Sequence, residues 1–158
     1  TEQRLAIMKD SRIGAYGGLA LVISILARFL ALDALTVQGL GLACAVTISA
    51  AASSRLLALV PLYALLPLRS DGLGAATARL KEQDLIFATI VTLIISLLPL
   101  FAGAHPLRVI IALALSAAAA YGVTVWTRRL INGQTGDIAG ATQQIAEITS
   151  YIVFTAQP

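Results

Sequence analysis

Long apolar runs, each bounded by charged residues, glycine or proline, constrain this chain more than any other feature of its sequence. Five such runs occur, at residues 15–35, 40–66, 85–101, 107–126 and, with more polar residues, 138–154. An α-helix needs about 20 predominantly apolar residues to cross the hydrocarbon core of a bilayer. We therefore predict an all-α fold, a polytopic transmembrane helical bundle with about five spans, in which residues 1–158 form a single transmembrane domain.

The composition excludes an ordinary water-soluble domain. Apolar residues make up 58% of the 158 residues, charged residues make up 12%, and the mean hydropathy is +0.87. Soluble domains average about 45–50% apolar and about 25% charged residues. Because so few polar residues cannot cover the surface of a small domain, lipid must solvate much of it. The predicted partner of this surface is a lipid bilayer.

The second apolar run is long enough to need a bend. As a straight helix, residues 40–66 would measure roughly 40 Å at 1.5 Å per residue, which exceeds the roughly 30 Å hydrocarbon core. Pro61 lies inside this run and has no backbone N–H to donate to a helical hydrogen bond. We expect a kink near Pro61, with the last turns leaving the bilayer.

The basic residues are distributed unevenly between the segments that separate the runs. Segments 1–14, 68–84 and 127–137 contain eight of the eleven basic residues: Arg4, Lys9, Arg12, Arg69, Arg79, Lys81, Arg128 and Arg129. The other loops, residues 33–39 and 102–106, have only Arg108 beside them. Since cytoplasmic loops carry an excess of Lys and Arg, we predict that the three basic segments are cytoplasmic loops. Basic residues that separate apolar runs, without clustering on one element, do not indicate a nucleic-acid partner.

Three polar segments fall on this predicted cytoplasmic side, at residues 9–14, 69–74 and 132–137. Each combines glycine and a carboxylate with hydroxyl, amide or guanidinium donors. This combination suits a phosphate ester and a metal ion. Asp10, Asp71 and Asp137 offer hard oxygen ligands for Mg²⁺. A guanidinium such as that of Arg12 binds phosphate oxygens through two parallel hydrogen bonds. The plainer interpretation is that these segments form turns and a helix cap, and that their basic residues anchor the topology.

Three ionisable residues lie within the apolar runs: Arg28, Arg55 and Glu147. A guanidinium that faced lipid would be costly, so we interpret Arg55 as pointing at an anionic substrate or pairing with a carboxylate from another part of the protein. Arg28 is expected to extend to the headgroups near the outer side of its span. Glu147, with two nearby glutamines, makes the last run polar enough to line a polar cavity or to lie partly in the interface.

Motifs along the whole chain resemble those of one family. They occur at residues 5–14 with Gly17, at Ser54-Arg55, at residues 71–74, and at residues 133–137 with residues 140–142 and Glu147. In these motifs the chain resembles the cobalamin synthases, the adenosylcobinamide-GDP ribazoletransferases. The resemblance implies a multi-pass enzyme of the bacterial inner (plasma) membrane with its active face cytoplasmic. It implies a Mg²⁺-dependent transferase of phosphotransferase type that joins α-ribazole or α-ribazole 5′-phosphate to adenosylcobinamide-GDP and releases GMP in cobalamin biosynthesis.

The resemblance and the polar residues together give roles to named positions. The implied chemistry is substitution at phosphorus, which is helped by holding the reactants in line and by neutralising the charge on oxygen. The predicted catalytic residues are Lys9, Asp10, Arg12 and Arg55, the predicted Mg²⁺ ligands are Asp10 and Asp137, and the predicted substrate-binding residues are Ser11, Asp71, Gly72, Gly74, Gly133, Gln134, Thr135, Gly136 and Glu147.

The chain departs from the family pattern in one place, and other functions stay open. Family members have an Asp-rich motif upstream of the segment that starts at Leu5, and this chain begins after that motif. We therefore expect the intact protein to be longer, with further N-terminal spans. Homo-oligomer formation and association with that N-terminal portion are both compatible with the sequence. A polytopic transporter of an anionic substrate and a structural scaffold subunit are the alternatives to an enzyme.

Overall fold

The computed structural model describes residues 14–68 and 81–156, which form a bundle of helices. Within these ranges the helices are α1 (Ala15–Gln38), α2 (Leu40–Leu57), α3 (Leu59–Ala64), α4 (Glu82–Ile95), α5 (Leu98–Phe101), α6 (Pro106–Ile131) and α7 (Gly136–Thr155). Four helical stretches in the described chain are long and apolar enough to cross a membrane: Ala15–Gln38, Leu40–Ala64, Glu82–Phe101 and Pro106–Ile131. The prediction of an all-α transmembrane bundle is confirmed.

Helix α7, formed by the fifth and most polar run, lies inside the bundle. It packs against α1, α2, α3 and α6, and its interface with α6 is the most extensive in the described part of the chain. Its buried residues are Ile138, Ala139, Thr142, Ala146, Ser150, Tyr151 and Phe154. Several of these are small, and small residues let helix backbones approach closely in a membrane. The polar residues of this run therefore face neighbouring helices as well as the surroundings of the bundle.

Two prolines divide the second and third apolar runs. Helix α2 ends at Leu57, four residues before Pro61, and α3 follows after a one-residue turn. Helix α4 ends at Ile95, four residues before Pro99, and α5 follows after a two-residue turn. A proline has no N–H to donate to the carbonyl four residues earlier, and its ring clashes with that carbonyl. The kink expected near Pro61 is confirmed, and the same physical cause produces a second break that we did not predict.

Short connections set the order of the helices. Gly39 joins α1 to α2 with a φ of 148°, a value that residues with a side chain rarely adopt. Its N–H donates to the Leu35 carbonyl at 3.1 Å. Helix α6 begins at Pro106 directly after His105, whose Nδ1 accepts a hydrogen bond from the Leu107 N–H. These two connections reverse the chain, so the spans that each of them joins run antiparallel to each other.

The apolar core lies toward one end of the bundle. Its buried residues are Ala31, Leu35, Ala43, Val46, Ala50, Ala104, Val109, Ala112, Tyr151 and Phe154. They come from the second half of α1, the first eleven residues of α2, the connection between α5 and α6, the first turns of α6 and the last turns of α7. This end, which we call the apolar end, is therefore where four helices meet in close contact.

The polar segments adjoin the other end, which we call the polar end. Helices α1 and α7 run parallel, since Gly17 and Ser24 line one cavity with Ala141 and Ile148, while Ala31 and Leu35 share the apolar core with Tyr151 and Phe154. Helices α1, α4 and α7 begin at the polar end, and α3 and α6 finish there. The described residues that adjoin this end are Gly14, residues 66–68, Lys81 and residues 132–137. The described parts of the three predicted cytoplasmic segments thus lie at the same end of the molecule.

Candidate functional site

The candidate site is built on the connection between α6 and α7, residues 132–135, at the polar end. Helix α6 ends at Ile131, and its C-cap residue Asn132 has a left-handed backbone with a φ of 50° and donates its N–H to the Arg128 carbonyl. Asparagine tolerates this conformation better than most residues, so Asn132 stops the helix and reverses the chain. Thr135 has the extended backbone of an N-cap residue, and α7 starts at Gly136.

Residues 66–68 pair with this connection through two backbone hydrogen bonds. The Gln134 N–H donates to the Leu66 carbonyl at 2.9 Å, and the Leu68 N–H donates to the Gln134 carbonyl at 3.2 Å. Gly133 fits beside Leu68 because it has no side chain, since a Cβ atom on Gly133 would lie 2.3 Å from Leu68 Cγ. The second predicted polar segment begins at residue 69. The contacts therefore join the ends of two polar segments that are far apart in the sequence.

The connection is packed into the protein. Gln134 is 1% exposed and Thr135 is 6% exposed, and Gly133 is buried as well. Loops normally lie on the surface, where water satisfies their polar backbone groups. The Thr135 hydroxyl is buried and has no hydrogen-bond partner among residues 14–68 and 81–156, although buried polar groups are nearly always bonded. Residues 133–135 are therefore more than a solvated turn between two helices.

Asp137 and the first turn of α7 follow directly on this connection. The Asp137 side chain is exposed. The first backbone N–H groups of a helix have no helical acceptor, and together with the helix dipole they favour negative charge nearby. A carboxylate in this turn therefore stabilises the helix. The start of α7 thus brings an exposed carboxylate and N–H groups without a helical acceptor to the same place.

The described residues do not complete a Mg²⁺ site by themselves. Among residues 14–68 and 81–156, no group of three or more His, Cys, Asp or Glu side chains is arranged to hold a metal ion. Asp137 supplies one carboxylate, and the other predicted ligand, Asp10, lies outside the described ranges. Magnesium binding therefore stays a prediction.

Arg55 lies in the last turn of α2 and is exposed, nine residues before Ala64, where α3 ends. Its Nη1 donates to the Ala51 carbonyl at 2.7 Å, one turn back in the same helix. The only ion pair within the described ranges joins two other residues, so Arg55 has no carboxylate partner there. Its guanidinium is accessible on the surface of the described bundle, part of the way along the span Leu40–Ala64. The predicted contact with an anionic substrate stays a prediction.

Glu147 lies away from the connection, about three helical turns along α7. Its Oε2 lies 3.4 Å from Arg28 Nη2, and its Oε1 accepts a hydrogen bond from the Tyr151 hydroxyl at 3.2 Å. Arg28 also donates to the side chains of Gln144 and Ser24. We call these five residues the α1–α7 polar network. Arg28 is thus bonded within the bundle, and the expectation that it extends to the headgroups is replaced by this pairing.

The structure brings some of the predicted site residues together and separates two from them. Gly133, Gln134, Thr135, Gly136 and Asp137 are contiguous at the polar end, whereas Arg55, nine residues before the end of α3, and Glu147, eleven residues after the start of α7, both lie part of the way along the bundle. Seven predicted residues lie outside the described ranges: Lys9, Asp10, Ser11, Arg12, Asp71, Gly72 and Gly74.

Sequence reasoning missed two features of this region. The pairing of residues 66–68 with Gln134 has no local sequence signal, because the contact joins distant segments. The partner of Arg28, by contrast, could have been recognised from the spacing of polar residues in the sequence. Gln144, Glu147 and Tyr151 recur at i, i+3 and i+7, which puts them on one face of a helix. A polar stripe of this kind inside an apolar bundle indicates a polar partner on a neighbouring helix.

The fold and the site define a class, a multi-pass helical membrane protein with a packed polar connection at one end of its bundle. Comparison with known proteins narrows this class. Residues 1–155 match the cobalamin-5-phosphate synthase family, and the chain belongs to that family. The resemblance based on the motifs is thereby confirmed.

Three curated relatives illustrate the match, and each is named adenosylcobinamide-GDP ribazoletransferase. The Azorhizobium caulinodans protein is 38% identical over 146 residues, which cover 92% of this chain and 55% of the relative. The Rhizobium etli strain CIAT 652 protein is 38% identical over 150 residues, covering 94% of this chain and 58% of the relative. The Xanthobacter autotrophicus protein is 41% identical over 147 residues, covering 92% and 56%. The chain thus spans little more than half the length of these relatives. No solved structure matches it.

Proposed function

We propose that the protein to which this chain belongs joins α-ribazole or α-ribazole 5′-phosphate to adenosylcobinamide-GDP and releases GMP, in the final steps of cobalamin biosynthesis. Membership of the cobalamin-5-phosphate synthase family and the names of the relatives support this substrate class. The observation that carries the proposal is the grouping of residues 133–137 at the polar end, where the buried residues 133–135 lead directly into Gly136 and the exposed Asp137 at the start of α7.

The proposed reaction is a substitution at phosphorus. An oxygen of the ribazole forms a bond to the β-phosphorus of adenosylcobinamide-GDP, and the bond from that phosphorus to the oxygen bridging to the GMP moiety breaks. GMP leaves with the bridging oxygen, and a hydroxyl nucleophile also loses its proton. The Arg55 guanidinium and the N–H groups at the start of α7 are donors suited to phosphate oxygens. Positioning and charge neutralisation of this kind are the main ways in which proteins help this chemistry.

We also propose that Mg²⁺ binds at the polar end, with Asp137 and Asp10 as ligands. Carboxylate oxygens are the protein ligands that Mg²⁺ prefers. When bound, the cation would neutralise phosphate oxygens. Asp137 is exposed at the start of α7, and Asp10 lies five residues before the first residue of α1. The remaining predicted residues of segments 9–12 and 71–74 are proposed to contact the substrates.

We propose that the bundle lies in the bacterial inner membrane with its polar end facing the cytoplasm. The basic residues near the polar end of the described chain are Lys81, Arg128 and Arg129, whereas Arg108 adjoins the apolar end. Cytoplasmic loops of membrane proteins carry the excess of Lys and Arg. The asymmetry therefore favours this orientation.

Replacing the exposed carboxylate at the start of α7 tests the proposed transferase directly. For Asp137→Asn in the full-length protein, we expect GMP release from adenosylcobinamide-GDP and α-ribazole to fall by about 10²-fold, because a charged group that neutralises or orients the phosphate is lost. The matched control is Asp33→Asn, which alters an exposed aspartate at the apolar end and should keep full activity. Equal GMP release by both variants, at equal amounts of inserted protein, would remove Asp137 from the site.

A transporter would require a structural feature that a transferase does not need. A transport path requires a polar lining that continues to both sides of the membrane. At the apolar end, the described cavity of about 670 Å³ has His105 and Arg108 at one end and is otherwise lined by apolar residues such as Leu107, Ile111 and Ile152. This lining favours the transferase. Substrate uptake into vesicles without GMP release would favour transport, and neither uptake nor GMP release would favour a scaffold.

A further inference from the structure

Apolar packing holds only one half of α1 firmly against the rest of the bundle. The buried residues of α1 are Ala31 and Leu35, both in its second half. Its first half is separated from α7 by a cavity of about 660 Å³, which is lined on α1 by Gly17, Ala20 and Ser24 and on α7 by Ala141, Gln144 and Ile148. Van der Waals contacts are lost across a gap of this kind. Apolar packing therefore does not set the distance between α1 and α7 near the polar end.

The α1–α7 polar network lies at the border between this cavity and the packed half of α1. Arg28 Nη2 lies 3.4 Å from Glu147 Oε2 and also bonds the Gln144 side chain, while Nη1 donates to Ser24. The Arg28 side chain is 21% exposed and that of Glu147 is 15% exposed. These are exposed fractions of the protein alone, and lipid around the bundle would lower them further. Charges in such low-dielectric surroundings attract strongly and are costly to separate. The network is thus the contact that can set the spacing of the two helices where packing cannot.

The spacing of α1 and α7 has a consequence at the polar end, because both helices begin there. The first polar segment, residues 9–14, directly precedes α1, and the connection of residues 132–135 directly precedes α7. A change in the distance between the helices must change the distance between these two segments. We propose that Arg28 and Glu147 are positioning residues, which hold the first half of α1 against α7 and so align the two polar segments. The catalytic consequence of this alignment rests on the proposed function, whereas the helix spacing does not.

Cross-linking across the cavity tests the spacing without any substrate. The intact membrane-inserted protein would carry Gly17→Cys and Ala141→Cys, with Cys44 and any other native cysteine replaced by serine, and would be treated with a short bifunctional maleimide. Both positions line the cavity. Addition of Arg28→Gln should slow cross-linking by about tenfold, as expected for loss of an energetically coupled pair. The exchange Arg28→Glu with Glu147→Arg should restore the rate, because it re-forms an ion pair with reversed polarity.

A second cysteine pair provides the matched control. The hydroxyl groups of Ser116 and Ser150 are 2.9 Å apart across the α6–α7 interface, so Ser116→Cys with Ser150→Cys should form a disulfide on mild oxidation. Arg28→Gln should leave this rate unchanged. The proposal is overturned if Arg28→Gln leaves the rate across the cavity unchanged or increases it. It is also overturned if both cysteine pairs slow equally, because the network would then support the whole bundle and not the position of α1.

Enzyme activity separates a positioning role of Glu147 from direct substrate binding. If Glu147 positions α1, the charge exchange should restore GMP release to within about threefold of the unmodified protein, within the coupling expected for one pair. The variant Glu147→Gln provides the reference for low GMP release. If the charge exchange restores cross-linking but leaves GMP release as low as in Glu147→Gln, Glu147 contacts the substrate, and its assignment as a positioning residue is overturned. Because cross-linking needs no substrate, failure of the proposed transferase activity would leave that test intact.

Discussion

Helix α7 contacts two of its neighbours in different ways. Against α6 it buries small residues, and the Ser116 hydroxyl donates to the Ala146 carbonyl at 3.0 Å. Against the first half of α1 it faces a cavity, and the contact at the edge of that cavity is an ion pair. Close packing fixes a position through many weak contacts and steric exclusion. The α6–α7 interface is therefore rigid, whereas the spacing of α1 and α7 depends on a few polar side chains.

The largest expected difference in stability is between two alanine-to-leucine variants, one altered on the side of α7 that packs against α6 and the other on the side that faces α1. Ala146 is 0% exposed, so Ala146→Leu must force α6 and α7 apart, and we expect it to lower the free energy of unfolding by about 3 kcal/mol. Ala141 lines the cavity, so Ala141→Leu should change the free energy by less than about 0.5 kcal/mol. Thermal unfolding in detergent measures both. Equal destabilisation by the two leucines would mean that the two interfaces are packed alike.

A smaller effect is expected from removing one charge of the polar network. Glu147→Leu leaves Arg28 without its counter-charge, and we expect a loss of about 2 kcal/mol, moderated by the partial exposure of the pair. Combining it with Arg28→Met should recover most of this loss, because replacing both charges with apolar side chains removes the unpaired ion. Unfolding of the single and double variants in detergent provides the measurement. A double variant no more stable than Glu147→Leu would show that the two charges are not coupled.

The smallest effect concerns the neutral hydrogen bond within the rigid interface. Ser116→Ala removes the bonds to the Ala146 carbonyl and the Ser150 hydroxyl, and we expect a loss of about 0.6 kcal/mol, as is typical of such bonds between membrane helices. Thr149→Ala is the control, since the Thr149 hydroxyl bonds only to the Ile145 carbonyl of its own helix. Comparison of the unfolding midpoints tests this. A loss as large as that for Glu147→Leu would mean that neutral bonds, and not close contact, hold α6 to α7.

Much of the helical architecture could be predicted from the order of residues. The four most apolar runs form helices long enough to cross a membrane, and Pro61 breaks its helix where the missing N–H requires it. The break before Pro99 follows the same rule and could have been predicted with it. The polarity of residues 138–154 was recognised, but the sequence did not show that α7 would lie among its neighbours.

The candidate site was predictable in part. Residues 133–137 form a contiguous polar group, as the motif indicated, because adjacent residues stay together in any fold. Their burial was not predictable, since it depends on backbone pairing of Gln134 with Leu66 and Leu68. Glu147 belongs to one of the motifs that resemble the family, but its side chain pairs with Arg28 away from residues 133–137. A polar residue within an apolar run can be recognised in a sequence, whereas the side chain that pairs with it depends on how the helices pack.

By itself, the sequence determined that this chain forms membrane-spanning helices and where prolines interrupt them. Both depend on local causes, because a helix satisfies its backbone hydrogen bonds within a short segment and a bilayer requires that satisfaction. Only the tertiary structure decided that Arg28 meets Glu147, 119 residues further along the chain, and that Gly133 lies against Leu68. Such contacts depend on which helix faces fit closely together, and that fit involves the shapes of all the neighbouring helices at once.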